Sequence, residues 1–319
     1  SFGSDIWRNT TDPKKRINNS NHTFLNSRGL FVKAPFFIFK IGYFCSMETH
    51  PVIQSAQNPK VKEMLRLKEK SRARTQAQKF IIEGVRELEL AIDCQYNILE
   101  FYYEPTILSS DALSGILKKL AAQPIAVSPA ILSGAAFEKL AQRSSTEGII
   151  AVAATKSHAL SALKVTAKNP LYLVAEAPEK PGNIGALLRT ADAAGIDAVI
   201  IVNPKTDLYN PNVIRSSVGG VFTVPVAMGT SEEVLDFLQV AKANVFAAAL
   251  QASKPHTEVS YTDTTAIVVG TEATGLEAIW LERANQNIRI PMRGKIDSMN
   301  VSVAAGILIF EAIRQRDIS

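Results

Sequence analysis

From residue 169 to the end of the chain, short apolar runs alternate with segments of helical period, and that alternation leaves few folds open. Residues 171–176, 198–202, 245–250, 266–270 and 287–290 read as strands, and 184–194, 231–243, 276–283 and 301–315 as helices. Strands separated by helices predict a mostly parallel sheet covered on both faces. Ile307-Leu308-Ile309-Phe310 reads as core packing within the last helix. Upstream, 58–69, 85–93 and 112–122 read as helices and 79–84, 98–103 and 148–153 as strands. The fold class is therefore α/β, with a small domain at 47–155, a polar linker at 156–168 and a larger domain at 169–319.

Charge separates the chain further. Of 35 basic and 30 acidic residues, seven and two lie within 1–46, leaving 28 of each for the remainder. The net +5 thus resides in a leader rich in Asn and Phe. It reads as a non-native or mis-started extension ahead of a start at Met47, the alternatives being a targeting peptide or a functional arm. One local stripe departs from neutrality. Lys60, Lys62, Arg66, Lys68, Lys70, Arg72, Arg74 and Lys79 face only Glu63 and Glu69 within 60–79. Such a run is either a solvated helix face or a phosphate-tracking surface. Two cysteines, Cys45 and Cys94, and four scattered histidines exclude a disulfide framework and offer no metal-ligand spacing. Lys33 and Lys40 interrupt the apolar run of the leader, so a cytoplasmic protein without a membrane span is expected.

Three segments place polar residues beyond strand ends, where α/β sheets bind ligands. Pro181-Gly182-Asn183-Ile184-Gly185-Ala186-Leu187-Leu188-Arg189-Thr190 opens a helix but lacks both GxGxxG and a Gly-Lys-Ser/Thr phosphate loop. Gly270-Thr271-Glu272-Ala273-Thr274-Gly275-Leu276 sets a Glu between glycines, fitting either close backbone approach to a ligand or a helix cap. Ile290-Pro291-Met292-Arg293-Gly294-Lys295-Ile296-Asp297-Ser298-Met299-Asn300-Val301-Ser302 is a polar loop before an apolar helix, which Ser298, Asn300 or Ser302 could cap.

Taken in order, these segments resemble the three motifs of the SpoU/TrmH family of RNA 2′-O-ribose methyltransferases, members of the SPOUT class. The resemblance spans 169 to about 316, and Ser55-Ala56-Gln57-Asn58-Pro59-Lys60 with Phe80-Ile81-Ile82-Glu83-Gly84 resembles the L30e-like RNA-binding domain that often precedes it. It implies a C-terminal trefoil knot, S-adenosylmethionine as cofactor and a homodimer through the knot domain. Gly270, Ile290 and Met299, with Leu250 and Thr271, would hold the cofactor. Asn183, Arg189, Glu272, Ser298 and Asn300 would form the active site. Ala273 stands where the family has Gly, and Met299 where it has Leu.

The resemblance also implicates Arg189 in removing the ribose proton, yet a guanidinium stays protonated and is a poor base. Binding the adjacent phosphate and lowering the 2′-hydroxyl pKa suits it better. Beside this domain the basic stripe becomes the expected RNA surface. Ribosomal RNA, 23S above all, is the expected substrate. A tRNA substrate, a catalytically idle RNA-binding protein and a Rossmann-type nucleotide enzyme are the rivals.

Overall fold

Successive strand residues of the first sheet alternate between two cores. The computed structural model describes residues 50–141, 147–270, 275–295 and 298–318. Within it, β1 (Val52–Ile53), α1 (Pro59–Glu69), α2 (Ser71–Ala77), β2 (Lys79–Glu83), α3 (Val85–Asp93), β3 (Ile98–Tyr103), α4 (Ser110–Ala121), β4 (Pro129–Leu132), α5 (Gly134–Leu140) and β5 (Ile149–Ala154) follow in order. The strands lie as β1-β4-β3-β5-β2, with β5 antiparallel to both neighbours. Ile81, Ile150 and Val152 pack with Val61, Met64 and Leu67 of α1, whereas Phe80, Ile82 and Ala151 pack with Leu88 of α3 and Ile116 of α4. Helix α1 starts where it does because Pro59 occupies its first turn and the Asn58 side chain accepts the Lys60 N–H at 2.8 Å.

The second sheet is parallel throughout. Its elements are β6 (Leu171–Glu176), α6 (Pro181–Ala194), β7 (Ala198–Val202), α7 (Pro211–Ser216), α8 (Gly220–Thr223), β8 (Val226–Gly229), α9 (Ser231–Val240), β9 (Asn244–Ala248), β10 (Ser253–Pro255), β11 (Thr265–Val269), α10 (Ala278–Arg283), β12 (Gln286–Arg289) and α11 (Val301–Ile318). The order is β10-β12-β9-β11-β6-β7-β8. Every residue of β6, β7 and β11 is buried, as a sheet covered on both faces requires. Between β11 and β12 the chain passes β9, and α11 then returns to pack on β11 and α6. Helices α6 and α7 touch backbone to backbone at Gly185, where a Cβ would overlap Ser216.

The α/β class and mostly parallel sheet are as expected, and β3, α3, β6 and β7 begin and end where the pattern places them. Strands β1, β4, β8 and β10 and helices α2, α5, α7 and α8 were not expected; each is seven residues or fewer and carries little periodicity. The core assignment of 307–310 is corrected in part. Leu308 and Ile309 are fully buried, but Ile307 and Phe310 are 37% and 49% exposed, because α11 has an outer face that none of the other described residues covers. Among the described residues no helix is long and apolar enough to cross a membrane.

A shared core joins the sheets. Phe80 of β2 stacks on Tyr209 at 4.2 Å between centroids, and Tyr96 meets Phe222 edge-on. Beside them Arg74, 2% exposed, pairs through Nε with Asp207 and donates through Nη1 to the carbonyls of Leu67 and Lys68. The stretch expected as a linker lies against the second sheet, with Leu160, Leu163 and Val165 packed on its core.

Two stability tests follow from these contacts. Arg74→Ala leaves the Asp207 carboxylate uncompensated and should cost about 3–5 kcal/mol in denaturant unfolding. Arg72→Ala, on the exposed side of α2, should stay within about 0.5 kcal/mol. Equal losses would deny the seam its role. Glu176, 2% exposed at the end of β6, accepts the Glu277 N–H at 2.9 Å, and burial raises its pKa above the ordinary 4.5. The folded chain therefore binds its proton more tightly than the unfolded chain. That contribution is complete below the unfolded value and drains away as pH rises through the folded one. Unfolding measured against pH should show stability falling across this window in the wild type and less so in Glu176→Gln; parallel curves would contradict the assignment.

Candidate active site

Parallel strands end on one edge of the sheet, and their following loops gather there. Residues after β9 (Ala249, Leu250, Gln251), after β11 (Gly270) and after β12 (Ile290, Met292) enclose a cavity of about 420 Å³ together with Ser298 and Met299. That volume falls within the range of small-molecule sites, about 300–1,000 Å³. Four of the residues expected to hold cofactor, Leu250, Gly270, Ile290 and Met299, therefore line one space, and Ser298 joins them. Thr271 and Glu272 lie outside the described residues, as does Ala273. Gly270 is dictated by sterics: a Cβ there would stand 2.5 Å from the Gly275 carbonyl and 2.7 Å from the Leu276 nitrogen. Gly275 itself has φ +69°, a left-handed turn that favours glycine. The lining is apolar over much of its area, with Val269, Leu276, Leu281, Ile288 and Leu308 contributing to it. Such a pocket fits an adenosyl group, whose ring is flat and whose edge seeks backbone polar atoms.

A smaller cleft of about 80 Å³ shares Val269, Gly270 and Val301 with the cavity and adds Glu176, Lys180 and Asn183. Here the first and third segments meet. Asn300 donates from Nδ2 to Asn183 Oδ1 at 3.1 Å, while its own Oδ1 accepts the backbone N–H of Ser302 at 3.0 Å and the Ser302 hydroxyl at 2.5 Å. Asn300 thus starts α11 and ties that start to the first turn of α6, more than one hundred residues earlier in the chain. Of the three capping candidates, Asn300 accepts the α11 backbone N–H. Arg189 stands six residues beyond Asn183 on α6, about 9 Å along the axis. It is exposed and has neither a hydrogen bond nor an ion pair among the described residues.

The basic stripe divides in two. Lys62, Arg66, Lys70 and Arg72 are exposed on α1, α2 and their junction. Lys60 is paired with Glu100 at 2.8 Å and Glu63 at 3.5 Å, and Lys79 with Glu63 at 3.9 Å. Lys68, 14% exposed, is held by Glu83 at 2.8 Å and the Leu140 carbonyl. Arg74 needs correction as an RNA contact: its guanidinium is buried and spent within the seam. Linear spacing cannot separate these fates, because a cation on the inner face of a helix reads the same as one outside.

Reading the sequence for site residues also missed Glu176. The signal was present, a carboxylate closing an otherwise apolar strand, and its burial beside Asn183 gives it weight. Among the described residues no cluster of His, Cys, Asp or Glu could hold a metal ion.

Comparison with known proteins agrees with this geometry. Residues 170–310 match the SpoU rRNA Methylase family, and residues 58–151 match the MRM3-like substrate binding domain. The 23S rRNA (guanosine(2553)-2′-O)-methyltransferase RlmP of Bacillus subtilis (strain 168) is 32% identical over 259 residues, covering 81% of this chain and 97% of its own. A crystal structure of an RNA 2′-O ribose methyltransferase aligns with a TM-score of 0.71 at 37% identity, over 83% of this chain and 99% of the other. An AdoMet-bound rRNA methyltransferase from Sinorhizobium meliloti aligns at 0.75 with 25% identity, over 82% and 97%. With the described parts of its motifs lining one site and about four-fifths of its length matched by such relatives, the chain belongs to the SpoU rRNA methylase family.

Proposed function

We propose that the protein methylates a ribose 2′-hydroxyl of 23S ribosomal RNA, using S-adenosylmethionine. The observation that carries this reading is the joining of Asn183 to Asn300 beside a cavity that Gly270, Ile290 and Met299 line. Relatives named as 23S rRNA 2′-O-methyltransferases and the matched substrate-binding domain favour rRNA over tRNA. The motif polar residues are retained, which disfavours an idle RNA-binding protein.

In this reading Leu250, Gly270, Ile290 and Met299 hold the cofactor, and Thr271 is assigned with them from the motif. When bound, S-adenosylmethionine supplies a methyl group on a positively charged sulfur. The protein's own work is to place the ribose oxygen and ease its deprotonation. Positioning alone contributes up to about 7–11 kcal/mol when the reacting atoms are well oriented. Arg189 grips the phosphate next to the target ribose through its two-pronged guanidinium and favours the 2′-alkoxide electrostatically. The proton leaves to a phosphate oxygen or water. Asn183 and Asn300 fix the loops on either side, Ser298 holds the third loop against the cavity, and Glu272 is assigned to the active site from the motif. The N-terminal sheet with Lys62, Arg66, Lys70 and Arg72 takes up flanking RNA, and the two parts act as substrate-binding and catalytic domains.

A homodimer through the knot domain belongs to the same reading. Val303, Ile307 and Phe310 recur at i, i+4 and i+7 along α11 and are 53%, 37% and 49% exposed. A stripe of this kind suits a second copy. Phe310→Asp should then halve the mass measured by sedimentation; a wild type that sediments as a monomer refutes the dimer.

The catalytic assignment is tested with labelled S-adenosylmethionine and a protein-free 23S rRNA transcript. Arg189→Ala should lower kcat/KM by at least about a hundredfold, or roughly 2.7 kcal/mol of transition-state stabilisation, with cofactor affinity by calorimetry unchanged. Arg189→Lys should remain impaired, since an ammonium lacks the fork; near-normal turnover would reject the phosphate-gripping role.

A further inference from the structure

A polar groove of about 380 Å³ opens along the seam between the two sheets and shares no lining residue with the cofactor cavity. Ser71, Thr75 and Gln78 of the α2 region form one wall, and Lys156, Lys205 and Thr206 part of the other. The walls are cross-tied. Besides the Arg74–Asp207 pair, the Tyr209 hydroxyl meets His158 Nε2 at 2.7 Å and accepts the Lys156 backbone N–H at 3.1 Å. Gln78 Oε1 accepts the Thr155 hydroxyl at 2.9 Å. The groove is therefore preformed.

Lys70 and Arg72 flank the lining residue Ser71 in sequence and are exposed, without ion pairs among the described residues. Lys205, which also lines the groove, pairs with the Glu179 carboxylate at 2.7 Å, and the Thr206 hydroxyl donates to the Glu179 carbonyl. Glu179 in turn lines the small cleft with Lys180 and Asn183. Lys205 and Glu179 are 56% and 61% exposed, so their pair contributes little and a phosphate can displace it. The carboxylate of Asp207, the one acidic group among the described lining residues, is already neutralised by Arg74. Hydroxyl and amide groups beside the Lys205 cation suit phosphates and 2′-hydroxyls, and a single strand leaves both open to such contacts.

Resting on the methyltransferase reading above, we infer that this seam groove carries the single-stranded RNA flanking the target nucleotide from the α1–α2 face to the Asn183 cleft. The test uses the full chain, labelled S-adenosylmethionine and a protein-free 23S rRNA transcript. Thr75→Glu with Lys205→Glu reverses the groove's charge. Ser114→Glu with Lys118→Glu, exposed on α4, applies the same charge change elsewhere. The groove variant should raise KM for RNA at least about tenfold over that control and flatten its salt dependence. Cofactor affinity should stay within about twofold. Lys205→Glu alone, at an exposed site, should show the same direction. Methyl transfer by the wild type with equal KM in groove and control variants overturns the groove. Failure of the wild type to transfer methyl to RNA overturns the reading on which it rests.

Discussion

The close approach of Gly270 to the Gly275–Leu276 backbone is the contact on which the site depends. It sets Gly275 and Leu276 against the end of β11, leaving no room for a side chain at residue 270. That contact sets one wall of the 420 Å³ cavity, and the loop after β12 sets the opposite wall. The Asn183–Asn300 hydrogen bond then fastens the far end of that second loop to α6. Three segments distant in sequence are held against one another by sterics at a glycine and by an amide pair at a helix start. Both constraints are local, short-ranged and difficult to satisfy by chance.

The seam imposes a second order of organisation. Aromatic stacking of Phe80 on Tyr209 and the buried Arg74–Asp207 pair join the sheets through one continuous core. Burying an ion pair is weak evidence for stability, because desolvation offsets the attraction. Its effect here is geometric: breaking it strands a charge, so the seam has one favourable arrangement. The exposed cations of α1 and α2, proposed above to take up RNA, then stand at a fixed separation from the site on the parallel sheet.

Much of this was legible in the sequence, for reasons that differ by element. The apolar runs at β6 and β7 are bounded by turns, so their limits read directly. The three motif loops were legible through residue identity and order, and the structure brings Leu250, Gly270, Ile290, Ser298 and Met299 around one cavity. What escaped was whatever depends on partners far away in the chain. Arg74 looked like its neighbours until Asp207, 133 residues on, was seen to take it. Ile307 and Phe310 looked like core because the last helix is apolar nearly all round, and only packing shows which face remains bare. The fate of a charge or an apolar face is a tertiary fact, and periodicity carries no information about it.

The central claim is that one ribose in 23S rRNA receives its methyl group from this protein. Mapping 2′-O-methyl positions across total RNA from cells with and without the gene tests it most directly. Cells without the gene should lose methylation at one 23S position, restored by the wild-type gene and not by Arg189→Ala. An unchanged map, or a loss confined to tRNA, would contradict it.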